Sequence, residues 1–111
     1  MSPLDLAQQY MDIVYDTNEW DELRQVFHAD LQFDGPFYSF QTADTYIKIM
    51  EENPPLGFQY ELIRAYEDAS SACLVHRFYK PGVSTIMAQI FEVKDNKIKR
   101  IQLIFDSGAF R

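Results

Sequence analysis

Residues 15–36, YDTNEWDELRQVFHADLQFDGP, carry the change from helical to extended spacing that decides the fold. Thr17 or Asn18 is suited to cap a short helix, and Trp20, Leu23 and Phe27 then recur at i, i+3 and i+7, on one apolar face with Trp20 as a core anchor. Residues 31–33 alternate as a brief strand, and the DGP that follows is turn chemistry. Asp34 reads there as an Asx residue bonding its own backbone. His28 and Asp30 have no spacing that resembles a metal site, so no metal is expected.

Upstream, Ser2, Pro3 and Asp5 fit the N-cap, first-turn and N3 positions of a helix. It is expected from residue 3 to about Asp16, with Leu6, Tyr10, Ile13 and Val14 as its buried stripe. Downstream, PFYSF runs extended to a third helix, capped by Thr42, bearing Tyr46, Ile47 and Met50, and ended by Asn53, Pro54 and Pro55. From Phe58 onward the period falls from near 3.6 to 2, with turn signals at EDASS, KPGVS and KDNK. Four antiparallel strands are expected at about 58–67, 71–79, 84–94 and 97–106. The order predicts an α+β fold in one domain, residues 1–111, with three N-terminal helices packed on the concave face of a curved, mainly antiparallel sheet.

Composition narrows the function. Seventeen acidic against ten basic side chains give a net charge of −7, which repels phosphate backbones and anionic lipid surfaces, so neither nucleic acid nor membrane is an expected partner. No apolar run approaches the roughly 18 residues that span a bilayer, and MSPLDL has neither the basic nor the apolar region of a secretory leader, so a soluble, unprocessed chain is expected. The single Cys73 leaves no intrachain disulfide and no cysteine-based zinc site, which fits a cytoplasmic compartment. Nine Phe and seven Tyr in 111 residues suit a wide apolar cavity as well as a packed interior.

The amphipathic first helix, NEWDELRQVFHADLQFDGP, the helix opened by QTADTYI, and the final hairpin IFEVKDNKIKRIQLIF together resemble the nuclear transport factor 2-like superfamily, the cystatin-like α+β cone fold shared with SnoaL-like polyketide cyclases. The resemblance covers essentially the whole chain. It implies a small-molecule pocket and a homodimer, with no cofactor, but no single reaction, because such proteins include isomerases, dehydratases, cyclases, epoxide hydrolases and non-catalytic binding modules. QQY resembles the first helix of ketosteroid isomerases and puts Tyr10 at their oxyanion-stabilising tyrosine. Their base would fall at Gly35 and their second oxyanion donor near Gln89. YDTNEWDELR resembles the tyrosine-aspartate pair of scytalone dehydratase, which makes Tyr15 and Asp16 catalytic candidates. HRFYK resembles the strand that carries one of its histidines, here His76, while the other falls near Tyr60.

Strand parity selects what reaches such a pocket. The inward sets are expected to be Phe58, Tyr60, Leu62, Arg64 and Tyr66; Leu74, His76 and Phe78; Met87, Gln89, Phe91 and Val93; and Ile101, Leu103 and Phe105. Strict alternation sends Asp106 outward with Ile104. Tyr10, Tyr15, Tyr46, Tyr60, His76, Met87, Gln89, Leu103 and Phe105 are the expected lining. His76 is either a core histidine satisfied by one partner or a general base, with Asp16 orienting it while Tyr10 or Tyr15 and Gln89 donate to an enolate oxygen. Asp16 equally suits the positive end of the second helix. The outward set, Ile63, Ala65, Val75, Tyr79, Ile86, Ala88, Ile90 and Ile104, would make a large apolar patch suited to a homodimer. Three functions stay open: an enzyme of the dehydratase, isomerase or cyclase type acting by proton abstraction beside a carbonyl on a small hydrophobic substrate, a small-molecule carrier or sensor, and a protein-interaction module.

Overall fold

Helix α1, Pro3–Asp12, starts where its capping chemistry puts it. The Asp5 N–H donates to Ser2 Oγ and the Ser2 N–H to Asp5 Oδ2, both at 3.1 Å, which satisfies two donors that a helix end otherwise leaves unpaired. Leu6, Ala7, Tyr10 and Met11 are its buried face. The structure, a computed structural model, describes residues 1–110.

The helix does not stay regular to Asp16. Ile13–Thr17 widen into a π-helical turn, closed by the Asn18 N–H donating to the Ile13 carbonyl at 2.9 Å. Asn18 sits at φ 56°, and its side-chain amide donates to the Val14 and Ile13 carbonyls at 3.0 and 3.3 Å. Asparagine tolerates this left-handed region better than most residues, so Asn18 ends the first helix and does not open the second. A 3-10 turn, Trp20–Glu22, and a single α-turn, α2 (Leu23–Val26), follow Glu19, which makes no capping bond through its side chain. Trp20 packs half-buried at the margin of the core. Phe27 leaves the helical pattern and opens β1, Phe27–Asp34, eight residues where three were expected. The reason is distant in sequence: Phe27 pairs with Ile98 in a parallel ladder.

The remaining elements are β2 (Ser39–Phe40), α3 (Ala43–Glu52, capped by Thr42), β3 (Gln59–Glu67), β4 (Ser71–Lys80), β5 (Val83–Lys94) and β6 (Lys97–Phe105). They form a six-stranded sheet in the order β2-β1-β6-β5-β4-β3. The β1–β6 pair is parallel and the others are antiparallel. The meander strands lie within a residue of their expected bounds, whereas β2 was read only as an extended segment.

Besides an irregularity in the β1–β6 ladder between Phe27 and Gln32, two bulges bend the antiparallel part of the sheet. In β3 the register passes from Leu62↔His76 to Arg64↔Val75, leaving Ile63 unpaired. An extra residue reverses parity beyond it. Arg64 and Tyr66 therefore turn away from the helices, contrary to simple alternation, and Ala65, opposite the buried Leu74, packs on the core and leaves the outward patch. The second shift, between Glu92 and Val93, lets both Ile98 and Ile101 be fully buried. Four elements meet at a ring cluster: Tyr10 lies 5.8 Å from Phe27 and 5.5 Å from Phe91, and Phe27 lies 5.2 Å from Tyr46.

The β5–β6 hairpin turns through Asp95 and Asn96 at φ 54° and 61°, the pair of positive φ values that a two-residue hairpin turn needs. Replacing Asn96 by Gly is expected to leave stability equal or slightly higher, while Asn96→Val lowers it by about 1–2 kcal/mol because a β-branched residue resists this region. Urea denaturation of both variants checks the contrast.

Candidate functional site

The curved sheet, α1 with its π-turn, and α3 enclose a cavity of about 400 Å³. Of the expected lining, Tyr10, Tyr15, Tyr46, Met87, Gln89, Leu103 and Phe105 stand on its wall; Tyr60 and His76 do not. The π-turn explains how Tyr10 and Tyr15 share one wall. Five residues would set them roughly 140° apart round a regular helix, and the wider turn, with fewer degrees per residue, narrows that separation. Phe33 of β1, Gly35–Tyr38 beyond it, Phe40, Met50, Phe78 and Lys80 complete most of the rest. Residues 106–110 close one side: Asp106 Oδ1 accepts from the Gly108 N–H at 2.9 Å and opens a 3-10 turn, Ser107–Phe110. Phe110 then packs on Phe37, Phe78 and Phe105 at 5.4, 5.7 and 5.0 Å between ring centroids.

Hydrogen-bond donors dominate the polar part of the wall. The Tyr10 and Tyr46 hydroxyls are buried and 2.7 Å apart. Burial, above all, pushes both phenols and that of Tyr15 above the ordinary tyrosine range, so all three stay protonated and serve as donors, not bases. The Gln89 amide donates to His76 Nε2 at 3.1 Å and to Met11 Sδ at 3.4 Å, leaving Gln89 Oε1 buried without a partner. Among the described lining residues no carboxylate or imidazole is present, and Lys80 is the one charged group.

His76 sits behind this wall. It is inward, as parity required, and fully buried, edge-on to Tyr15 at 6.4 Å and Tyr60 at 5.7 Å. The Tyr60 ring packs tilted against Tyr15 at 4.7 Å, and its hydroxyl accepts from Gln8 Nε2 at 2.9 Å. The orienting carboxylate expected for His76 is not there. Asp16 is exposed on the π-turn, and His76 Nδ1 has no partner. Asp34 is not an Asx residue either: its Oδ2 accepts from Arg100 Nη2 at 3.3 Å, while the turn is closed by the Gly35 N–H and the Tyr38 carbonyl at 2.9 Å. Gly35 lines the cavity, and a Cβ there would meet the Phe33 ring at 3.3 Å. Sequence reasoning missed Lys80 and Phe110. Carrying the parity of Leu74, His76 and Phe78 one step further along β4 would have found Lys80.

No protein-family model and no curated protein matches the chain. Solved structures do. An NTF2-like protein of unknown function from Cytophaga hutchinsonii superposes with a TM-score of 0.84 at 16% identity, over 99% of this chain and 95% of that one. An LEH-like epoxide hydrolase from M. tuberculosis gives 0.80 at 14% identity, over 95% and 83%. A candidate ketosteroid isomerase from Kribbella flavida gives 0.79 at 20% identity, over 93% and 76%. The chain therefore has the nuclear transport factor 2-like α+β cone fold, and identities this low carry the fold without the chemistry.

Burial pulls the His76 pKa down from 6.5 to about 4, so the folded state binds fewer protons than the unfolded one at mildly acid pH. The stability this favours is fully present above pH 6.5 and is lost as pH falls toward the folded value. Wild type is expected to lose about 1 kcal/mol per pH unit more than His76→Leu between pH 6 and 5. Parallel denaturation curves across that window would show that His76 is not held neutral.

Proposed function

We propose that the chain binds a small, mainly apolar molecule in the cone cavity, with no acid–base step at the cavity wall. The observation that carries this reading is the wall itself: about 400 Å³ of aromatic-lined space, a size that suits a small organic ligand, bounded by phenol donors and lacking a carboxylate or imidazole among the described lining residues. The open volume also argues against a vestigial cavity. The lone, half-buried Cys73 supports a reducing, cytoplasmic setting.

A second reading, a cofactor-independent dehydratase, isomerase or cyclase, draws support from the Gln89 amide, which links the cavity to His76 Nε2. There His76 is the base, assisted by Tyr10, Tyr15 and Gln89 as donors. It requires Asp16 and His76 to move toward each other and His76 to gain access to the ligand.

Titration with N-phenyl-1-naphthylamine, a neutral apolar fluorophore, separates these ideas. One saturable site is expected in wild type and in His76→Ala, and loss of that site in Leu103→Trp, which fills the cavity while circular dichroism stays native. If instead wild type speeds deuterium uptake at the acetyl group of 2-acetylnaphthalene in D2O more than tenfold over His76→Ala, the enzyme reading takes precedence.

We further propose a homodimer through the outward face of the sheet, where Ile63, Ile86 and Ile104 are 37%, 44% and 53% exposed. Such a contiguous apolar face on a lone chain is unusual, and a two-fold axis would pair it with itself. Light scattering is expected to give twice the chain mass, falling to one chain in an Ile86→Asp, Ile104→Asp double variant.

A further inference from the structure

The cavity has two polar ends that differ in character. At its mouth stands Lys80, the last residue of β4, paired with Val83 across the two-residue Pro81–Gly82 turn. Gly82 takes φ 80° there, which a glycine adopts without strain. The turn fixes the lysine backbone, and the strand's alternation aims its side chain to the cavity side with Phe78. The ammonium lies 5.0 Å from the Phe110 ring centroid and 5.9 Å from that of Phe58, both rings of the cavity wall. At the other end is Gln89, a lining residue only 3% exposed, whose Oε1 is buried with no partner. Gln89 stands opposite Leu74, six residues and roughly 20 Å of strand from Lys80 before the reach of the two side chains is subtracted.

We infer that the cavity takes an organic acid with a ring-containing apolar body, its carboxylate against Lys80 and a hydrogen-bond donor facing Gln89. Aromatic side chains on most of the wall fit a flat body. A single cation at a partly enclosed mouth fits a single anion, because a charge-assisted bond gains strength where water is thinned. The unpaired Gln89 carbonyl oxygen is costly while buried and empty of partners, so a donor on the ligand recovers free energy there. The net charge of −7 opposes anions at long range, but at physiological salt that field decays over about 8 Å, leaving Lys80 to dominate at the mouth.

The inference rests on the cavity being a binding site, and the test keeps the two apart. Three probes of similar outline are titrated by calorimetry: 2-naphthoate, its neutral isostere 2-acetylnaphthalene, and 6-hydroxy-2-naphthoate, which places a donor at the end remote from the carboxylate. Wild type is expected to bind 2-naphthoate about tenfold tighter than 2-acetylnaphthalene. Lys80→Met removes that preference while leaving 2-acetylnaphthalene within about twofold, and Lys80→Arg restores it. The hydroxyl is expected to improve binding about threefold or more in wild type and not in Gln89→Leu. If Lys80→Met weakens all three probes equally, or none, the lysine only covers its ring neighbours and the inference falls. A hydroxyl that gives no advantage overturns the assignment of the inner end. If N-phenyl-1-naphthylamine and all three probes fail to bind wild type, the binding function fails with it.

Discussion

The hydrogen bond between the Tyr10 and Tyr46 hydroxyls is the contact on which the arrangement of helices over sheet depends. It joins α1 to α3 where both cross the inner face, and the rings around it, Phe27 and Phe91, come from β1 and β5. Both phenols are buried, so pairing their hydroxyls spares each an unsatisfied polar group. Two hydroxyls that share one bond use one proton between them. The second proton is left over for whatever else approaches, and both residues line the cavity. The same contact thus closes the core and gives the cavity a polar floor.

Much of the architecture was written in local chemistry. Ser2 with Asp5, Thr42, and the Pro81–Gly82 and Asp95–Asn96 turns each act through neighbours a few residues away, so spacing reveals them. What spacing did not reveal depends on partners far along the chain. Phe27 has helical spacing with Trp20 and Leu23, yet pairing with Ile98 draws it into a strand. Ile63 has nothing unusual about it, yet as the extra residue in the β3–β4 ladder it reverses Arg64, Ala65 and Tyr66. The π-turn was invisible because a 3.6-residue period assumes the very regularity that Ile13–Thr17 abandon.

The candidate site divides along the same line. Residues on regular strands, Met87, Gln89, Leu103 and Phe105, were placed by parity alone. His76 obeyed parity too, but facing inward is not the same as facing space: Tyr15 and Gln89 stand on the wall while the imidazole lies behind them. Asp16 failed for a simpler reason. Adjacent residues in a helical turn point apart, so when the π-turn brings Tyr15 to the cavity it leaves Asp16 in solvent. Asp34 was read from its DGP context, whereas Arg100, sixty-six positions away, determines what its carboxylate does.

Under the proposed binding function, the Ser107–Phe110 turn bears on how a ligand would enter and leave the cavity. Ser107–Phe110 is held by the Asp106 carboxylate, by the Ala109 N–H donating to the Asp106 carbonyl at 3.1 Å, and by ring contacts of Phe110. Releasing those few contacts costs less than unfolding the sheet beneath them. An occupant that packs against Phe110 adds its own contacts to those holding the turn shut. On that reading a tighter occupant would lengthen its own residence, and differences in affinity would show in how slowly each one leaves.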